Sequence, residues 1–344
     1  MAKKTILGVD IGYDQLKLAL VSGGRVVKTA SASMPENLLK EGRITSAETM
    51  SDLIRQTMKI NHMRAGHAAI VLPNEDVYVK NVRMPQMTIE QLIYNLPFEF
   101  NDYITGEIKD YVFDYAVLKQ PGKDEGEDQP EEDLSENDSG PTMDLMAVGA
   151  QRALLEENRE MLRKAGLRMH IAAPALCSYI SLIRRNKHIL AESADEFGIL
   201  DLGYNSIRLY MFRDDQHMAT RVMEIGLSSL DSVLADAYGV DMHLAHTYLM
   251  SNFENCQERE ECQNSYDNMA IELMRALNFY RFSNPDSTLS DIWLCGGGSM
   301  IRPLTDAIDD MLDMEMHPAS ELVPGGDNIP ECGSFVQAIG ITFE

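Results

Sequence analysis

The chain has 344 residues, 44% of them hydrophobic and 24% charged, which suits about two domains with ordinary cores and excludes a disordered or fibrous protein. Thirty lysines and arginines against 54 acids leave a net charge of −24. That balance argues against nucleic acid as a partner, because neutralising a phosphate backbone takes a basic patch.

The opening MAKKTILGVDIG holds too few apolar residues for a signal-peptide core. No stretch approaches the ~20 apolar residues of a membrane span, so a soluble cytoplasmic protein is expected. Residues 5–9, 16–22 and 25–32 read as strands, with Gly23-Gly24 turning the last pair. Thr45 and Glu48 suggest a capping box for a helix bearing Met50, Leu53, Ile54 and Met58. A strand at 68–72 and an extended run at 76–83 follow. Ile89, Leu92, Ile93 and Leu96 then share one helical face before Pro97 stops that helix. Strands at 110–119 and 143–149 flank a segment, 121–140, with nine acids, one lysine and one leucine. Such a composition predicts a disordered surface loop. A helix at 151–165, a strand near 168–172 and a helix from Pro174 complete the first half.

The second half begins with the same design. ILGVDIGYDQLKLALVSGGRVVKT aligns without a gap on GILDLGYNSIRLYMFRDDQHMAT when Asp10 is set on Asp201, so that Gly12 meets Gly203, Tyr13 meets Tyr204 and Lys17 meets Arg208. Two copies of a strand, an Asp-x-Gly turn and a hairpin predict two similarly folded halves. In each turn the glycine admits close backbone approach, neighbouring amides suit phosphate oxygens, and the carboxylate suits magnesium held through water. A third piece, DIWLCGGGSM at 291–300, predicts a strand entering Gly296, Gly297 and Gly298, with Ser299 capping the next helix. The cysteines Cys177, Cys256, Cys262, Cys295 and Cys332 show no metal or disulfide spacing. Cys256 and Cys262 with His243 and His246 match no zinc pattern, and the two histidines read as ordinary helix residues. The 22 methionines read as core filling.

These three motifs, in this order, resemble phosphate 1, phosphate 2 and adenosine of the actin-like ATPase superfamily. Within it the chain resembles the PilM family of type IV pilus assembly, related to FtsA. The resemblance rests on DIGYDQLK at 10–17, on YNLPFEFNDYITGEIKDYVFDYAVL at 94–118 and on MAVGAQRALLEENREMLRKAGL at 146–167. It closes with Glu272, Arg275, Phe279, Tyr280, the three glycines and Ala338-Ile339-Gly340. It implies an α/β fold with two actin-like, ribonuclease-H-like lobes and an inserted small α/β subdomain. Residues 1–75 with 165–190 and the C-terminal helix 331–344 would form the first lobe, 76–164 the subdomain and 195–330 the second lobe. It further implies ATP or ADP with magnesium. Asp10, Gly12 and Lys17 would lie on one side of the phosphates and Asp201, Gly203 and Ser206 on the other, the metal being held through water by Asp10 and Asp201. Gly296, Gly297 and Gly298 would border the adenosine, with Glu272 and Arg275 toward the ribose. The implied partners are the cytoplasmic tail of a PilN-like inner-membrane protein, received in a peptide groove, and the pilus motor or platform. Membrane association would come only through the partner, and a homo-oligomer is compatible with the pattern.

The chain also departs from the family. Tyr13, Asp14 and Gln15 replace small hydroxyl residues, and Asp14 sets a negative charge where a phosphate tail would lie. Ile171, Ala172 and Ala173 stand where the family carries acids, and Gly226-Leu227 replaces a Gly-Gly pair. Weak or absent hydrolysis is therefore expected. An FtsA-like division-site tether would need a C-terminal amphipathic helix, and the chain stops at Glu344. A sugar or acetate kinase would need an acid before Pro174 to act as base, and none stands there.

Overall fold

In the computed structural model, which describes residues 4–40, 42–119, 141–187 and 195–343, the chain divides into two units. One comprises Met1–Val71 with Met161–Glu344, the other Leu72–Glu160. The acidic segment 121–140 lies outside the described residues.

In the first unit, β1 (Thr5–Ile11), β2 (Gln15–Ser22) and β3 (Arg25–Ser33) form an antiparallel meander. The short strands β4 (Leu39–Lys40) and β5 (Arg43–Ile44) lead to α1 (Ala47–Ile60). The cap of α1 is Ser46, whose Oγ accepts from the Thr49 amide at 3.2 Å, rather than Thr45 with Glu48. The Thr45 hydroxyl is already committed to the Asn37 carbonyl at 2.7 Å, which shifts the helix start by one residue. β6 (His67–Leu72) then pairs parallel with β1.

The second unit holds β7 (Val77–Pro85), α2 (Ile89–Asn95), β8 (Tyr111–Lys119) and β9 (Thr142–Gln151), with sheet order β7-β9-β8. Thr88 and Gln91 cap α2 reciprocally. Leu92, Leu96 and Phe100 pack with Val82, Met84, Leu145 and Ala147. The expected single apolar face of α2 is split: Leu92 and Leu96 enter this core, while Ile89 and Ile93 remain 65% and 62% exposed.

After α3 (Arg152–Lys164), β10 (Arg168–Pro174) completes a five-stranded sheet of order β3-β2-β1-β6-β10, and α4 (Ala175–Arg185) follows. The chain then repeats the plan. β11 (Glu196–Leu202), β12 (Ile207–Arg213) and β13 (Gln216–Met223) form a second meander, followed by α5 (Leu227–Tyr238), α6 (Met242–Ser251) and α7 (Glu260–Ser283). β14 (Asp291–Cys295), α8 (Arg302–Met311) and β15 (Glu315–Pro318) complete the sheet order β13-β12-β11-β14-β15, and α9 (Cys332–Gly340) closes the chain.

The duplication reaches single residues. Asp10 pairs in register with Lys17, and Asp201 with Arg208. Each meander has one register shift, which leaves Val27 unpaired in the first and Met218 in the second, aligned positions of the two copies. Bulges at the same place bend both sheets alike. The first core gathers Leu7, Val9, Leu16, Leu18, Met50, Ile54 and Ile70; the second gathers Leu200, Leu209, Leu230, Leu273, Ile292 and Leu304. Full burial of each such side chain stabilises the fold by roughly 1.5–3 kcal/mol. Cys256 and Cys262 are buried within the second core, as apolar filling.

The C-terminal helix α9 packs on β1, β2 and α4. Its approach requires glycine: a Cβ on Gly8 would lie 1.6 Å from the Ala338 carbonyl oxygen, and one on Gly340 would lie 2.5 Å from that of Ser178.

Candidate functional site

Each Asp-x-Gly turn follows from its hairpin. The Gly12 amide donates to the Gln15 carbonyl at 2.9 Å, and a Cβ on Gly12 would lie 3.0 Å from that oxygen. In the second copy a Cβ on Gly203 would lie 2.7 Å from the Ser206 carbonyl oxygen. In both turns the glycine lies against the carbonyl three residues on, and both present the acid of the preceding strand beside the basic residue of the next.

The first turn's charges are Asp10, Asp14 and Lys17. Desolvation raises Asp10 to about 6; Lys17 opposes the rise, and Asp201 and Asp14 add to it. Burial would lower the Lys17 pKa, but Asp10, Asp14 and Asp201 outweigh it and hold the ammonium charged above its ordinary range. Asp201, from the second copy of the turn, thus bears on the charges of Asp10 and Lys17 in the first. Asp201 is buried and its pKa is also raised by burial, against the pull of Arg208, Lys17, Gln337 and Tyr179. Arg208, on the hairpin face, is only partly exposed and its charge bears on Asp201.

The surroundings of Asp201 come from far along the chain. Gln337 Nε2, on α9, donates to Asp201 Oδ2 at 2.7 Å and to the Tyr179 hydroxyl oxygen at 2.9 Å. The Tyr179 hydroxyl lies 3.5 Å from Cys295 Sγ. Gly296 adjoins the same acid: at φ 85° a Cβ there would meet Asp201 Oδ1 at 2.5 Å, and one on Gly298 would meet the Leu202 Cβ at 2.8 Å. Gly297 has more room, its nearest neighbour being Leu227 Cδ1 at 3.5 Å. Packing against β11 thus accounts for two of the three glycines. Ser299 does not cap α8 as expected. Its Oγ donates to the Gly296 carbonyl at 2.7 Å, closing a 3-10 turn over Gly297–Met300, and α8 starts later, at Arg302.

His246 is a site residue that the sequence reading set aside. It projects from α6 between Asp231 of α5 and Asp14 of the first turn, with Nδ1 2.9 Å from Asp231 Oδ2 and Nε2 3.5 Å from Asp14 Oδ2. The first contact is a hydrogen bond; the second is an ion pair without hydrogen-bond geometry, since Nε2 has no hydrogen-bond partner among the described residues. Burial would lower the His246 pKa, yet the two acids raise it to about 9. Burial likewise opposes ionisation of Asp14, and His246 and Lys17 overcome it, so its pKa lies below the ordinary value. The Tyr204 ring meets the His246 ring edge-on at 5.6 Å, and burial with the nearby Asp231 charge pushes its hydroxyl pKa up. Asp14 is therefore a neutralised acid, and no free anion projects from the first turn.

Glu272 and Arg275 lie on α7 and pair with each other at 2.5 Å on an exposed face. Ser206 is buried at the end of the second turn. Ile171, Ala172 and Ala173 form the end of β10, partly buried and without a carboxylate. The donor set of the two turns fits a magnesium nucleotide. The two buried carboxylates Asp10 and Asp201 offer hard oxygen donors to a divalent cation, and Lys17 offers a charge to phosphate.

Residues 8–320 match the family described as type IV pilus assembly protein PilM. No curated protein matches the chain. Among solved structures the chain resembles a PilM-PilN type IV pilus biogenesis complex at 24% identity, with 98% of this chain and 97% of that one covered and a TM-score of 0.79. It also resembles the ethanolamine utilization protein EutJ from Carboxydothermus hydrogenoformans at 14% identity, over 99% and 89% of the two chains, with a TM-score of 0.58. MreB5 of Spiroplasma citri bound to ADP follows at 11%, over 98% and 95%, with a TM-score of 0.51. These likenesses establish the actin-like ATPase fold. Among the described residues no helix is long and apolar enough to cross a membrane.

Proposed function

The chain belongs to the PilM family of type IV pilus assembly proteins, and from that premise we propose that it is a cytoplasmic, nucleotide-binding scaffold of a pilus or related secretion apparatus. ATP or ADP with magnesium binds between the two turns. Asp10 and Asp201 hold the metal through water, and Lys17 and the amides around Gly12, Gly203 and Ser206 receive the phosphates. Gly297 borders the adenosine. Gly296 and Gly298 shape that border by packing on Asp201 and Leu202, and Glu272 and Arg275 lie toward the ribose side. The observation that carries this reading is the repeated turn itself, which sets Asp10 beside Lys17 in one copy and Asp201 beside Arg208 in the other. The magnesium supplies charge neutralisation to the phosphates; the protein supplies the buried acids that hold it.

The partner is the cytoplasmic tail of a PilN-like membrane protein, in keeping with the solved PilM-PilN relative. This tail ties the scaffold to the membrane and to the pilus motor or platform. Hydrolysis is slow, because β10 ends in Ile171-Ala172-Ala173 and offers no carboxylate to orient water. A titration with a synthetic peptide of the partner's tail, with and without magnesium and ATP, tests the scaffold role: binding supports it, and absence of binding in both conditions refutes it. Phosphate release well below about one per minute is expected, since losing a water-orienting group costs on the order of 100- to 10,000-fold. Fast release that Asp10→Ala abolishes would make the chain an enzyme.

A further inference from the structure

We propose that His246 is the positioning residue of the first turn: by spanning Asp14 of that turn and Asp231 of α5, it cancels the turn's extra negative charge and so lets the turn admit a phosphate tail. The inference rests on the nucleotide reading above and adds to it a residue, a charge requirement and a pH dependence.

The argument begins with what Asp14 does alone. It stands two residues after Gly12, in the turn that closes over the Gln15 carbonyl, and its side chain is only 13% exposed. An acid there, shielded from water, would repel phosphate at close range. The aligned position in the second turn is Asn205, which is exposed and neutral, so the second turn needs no countercharge. Two cations reach Asp14. Lys17 also serves Asp10 and Asp201, leaving one ammonium among three acids. His246 supplies the missing charge from the other half of the unit, and the bond to Asp231 fixes which way its ring points. Both acids that face His246 favour its cationic form: Asp14 comes from the first turn and Asp231 from α5. Tyr204, from the second turn, lies against the imidazole edge. Nε2 is buried and has no hydrogen-bond partner among the described residues, so at 3.5 Å it answers Asp14 by charge rather than by a hydrogen bond.

The test measures affinity for magnesium-ADP by titration calorimetry in four chains: the parent, His246→Ala, Asp14→Asn and the double variant, each checked for folding by urea denaturation. His246→Ala should weaken binding roughly 10- to 100-fold, the loss that accompanies leaving a shielded acid uncompensated. Asp14→Asn, which installs the residue of the second turn, should not weaken it. The double variant should return to within several-fold of the parent, because the charge that needed cancelling is gone. Affinity of the parent should fall as pH rises through about 9, where the imidazolium is lost; the double variant should lack that fall. Should His246→Ala fail to fold, the Asp14→Asn chain decides by its flat alkaline profile. A double variant as weak as His246→Ala, or a His246→Ala chain that binds like the parent, overturns the inference while leaving the nucleotide reading intact. A parent that binds no nucleotide overturns both.

Discussion

The two Asp-x-Gly turns share a backbone and differ in their charge. Both close on a carbonyl three residues after the glycine, both follow a strand whose aspartate pairs with a basic residue, and both feed meanders that bulge at aligned positions. Yet the first carries Asp14 and depends on a histidine from the second half, whereas the second carries Asn205 and has its aspartate tied to Gln337. Duplication sets the geometry, and divergence distributes the electrostatics, so that each half completes the other's turn.

The largest effect should come from breaking the contact that exists only in the first half. Gly8→Ala puts a methyl into the Ala338 carbonyl and displaces α9, which also carries Gln337; a loss at or above the top of the roughly 1–3 kcal/mol overpacking range is expected in urea denaturation. The aligned position in β11 is Ile199, fully buried, where a valine should cost about 0.5–1.5 kcal/mol. Equal effects at the two sites would contradict the asymmetry.

Next comes the pH dependence of the first turn. The folded pKa of His246, about 9, lies above its ordinary 6.5. Its stabilisation is therefore complete below about pH 6.5 and is lost as pH rises through 9, up to about 3 kcal/mol in all. Asp14 is lowered, so its contribution is present above the ordinary carboxylate range and is lost as the solution becomes acid. Urea melts across pH should show the greatest contribution at weakly acid pH and a steady decline from about pH 6.5 to about 9. In Asp14→Asn the alkaline loss should shrink, and an unchanged loss would remove Asp14 from the pairing.

A smaller effect is expected at the second turn. Gln337→Leu leaves Asp201 with one fewer donor and should cost about 1–2 kcal/mol near neutral pH. The least should come from Asn205→Ala, within about 0.5 kcal/mol, since that side chain is exposed.

How much of this was legible follows from the range of each contact. The turns, the hairpins and their duplication rest on neighbours a few residues apart, and the gapless alignment of Asp10 on Asp201 carried them. The cap of α1 was misplaced by one residue because Thr45 and Ser46 are both capping types and only the Asn37 carbonyl, out of local register, decides between them. His246, Tyr179 and Gln337 were invisible as site residues, since their partners lie in other elements: Gln337 reaches back 136 residues to Asp201, and His246 reaches from α6 to a turn near the N-terminus. A histidine on an ordinary amphipathic helix carries no local mark of two acids waiting on either side. The split face of α2 was also hidden, because spacing alone does not show which of two adjacent apolar stripes meets the small sheet.

The central claim is that two copies of one turn make a single nucleotide site, and calorimetric titration of magnesium-ATP into the parent, Asp10→Asn and Asp201→Asn tests it most directly. The parent should bind, and each single variant should lose binding by at least about tenfold, because each removes one of the two carboxylates that hold the metal. Binding that survives either substitution unchanged, or a parent that does not bind, would contradict it.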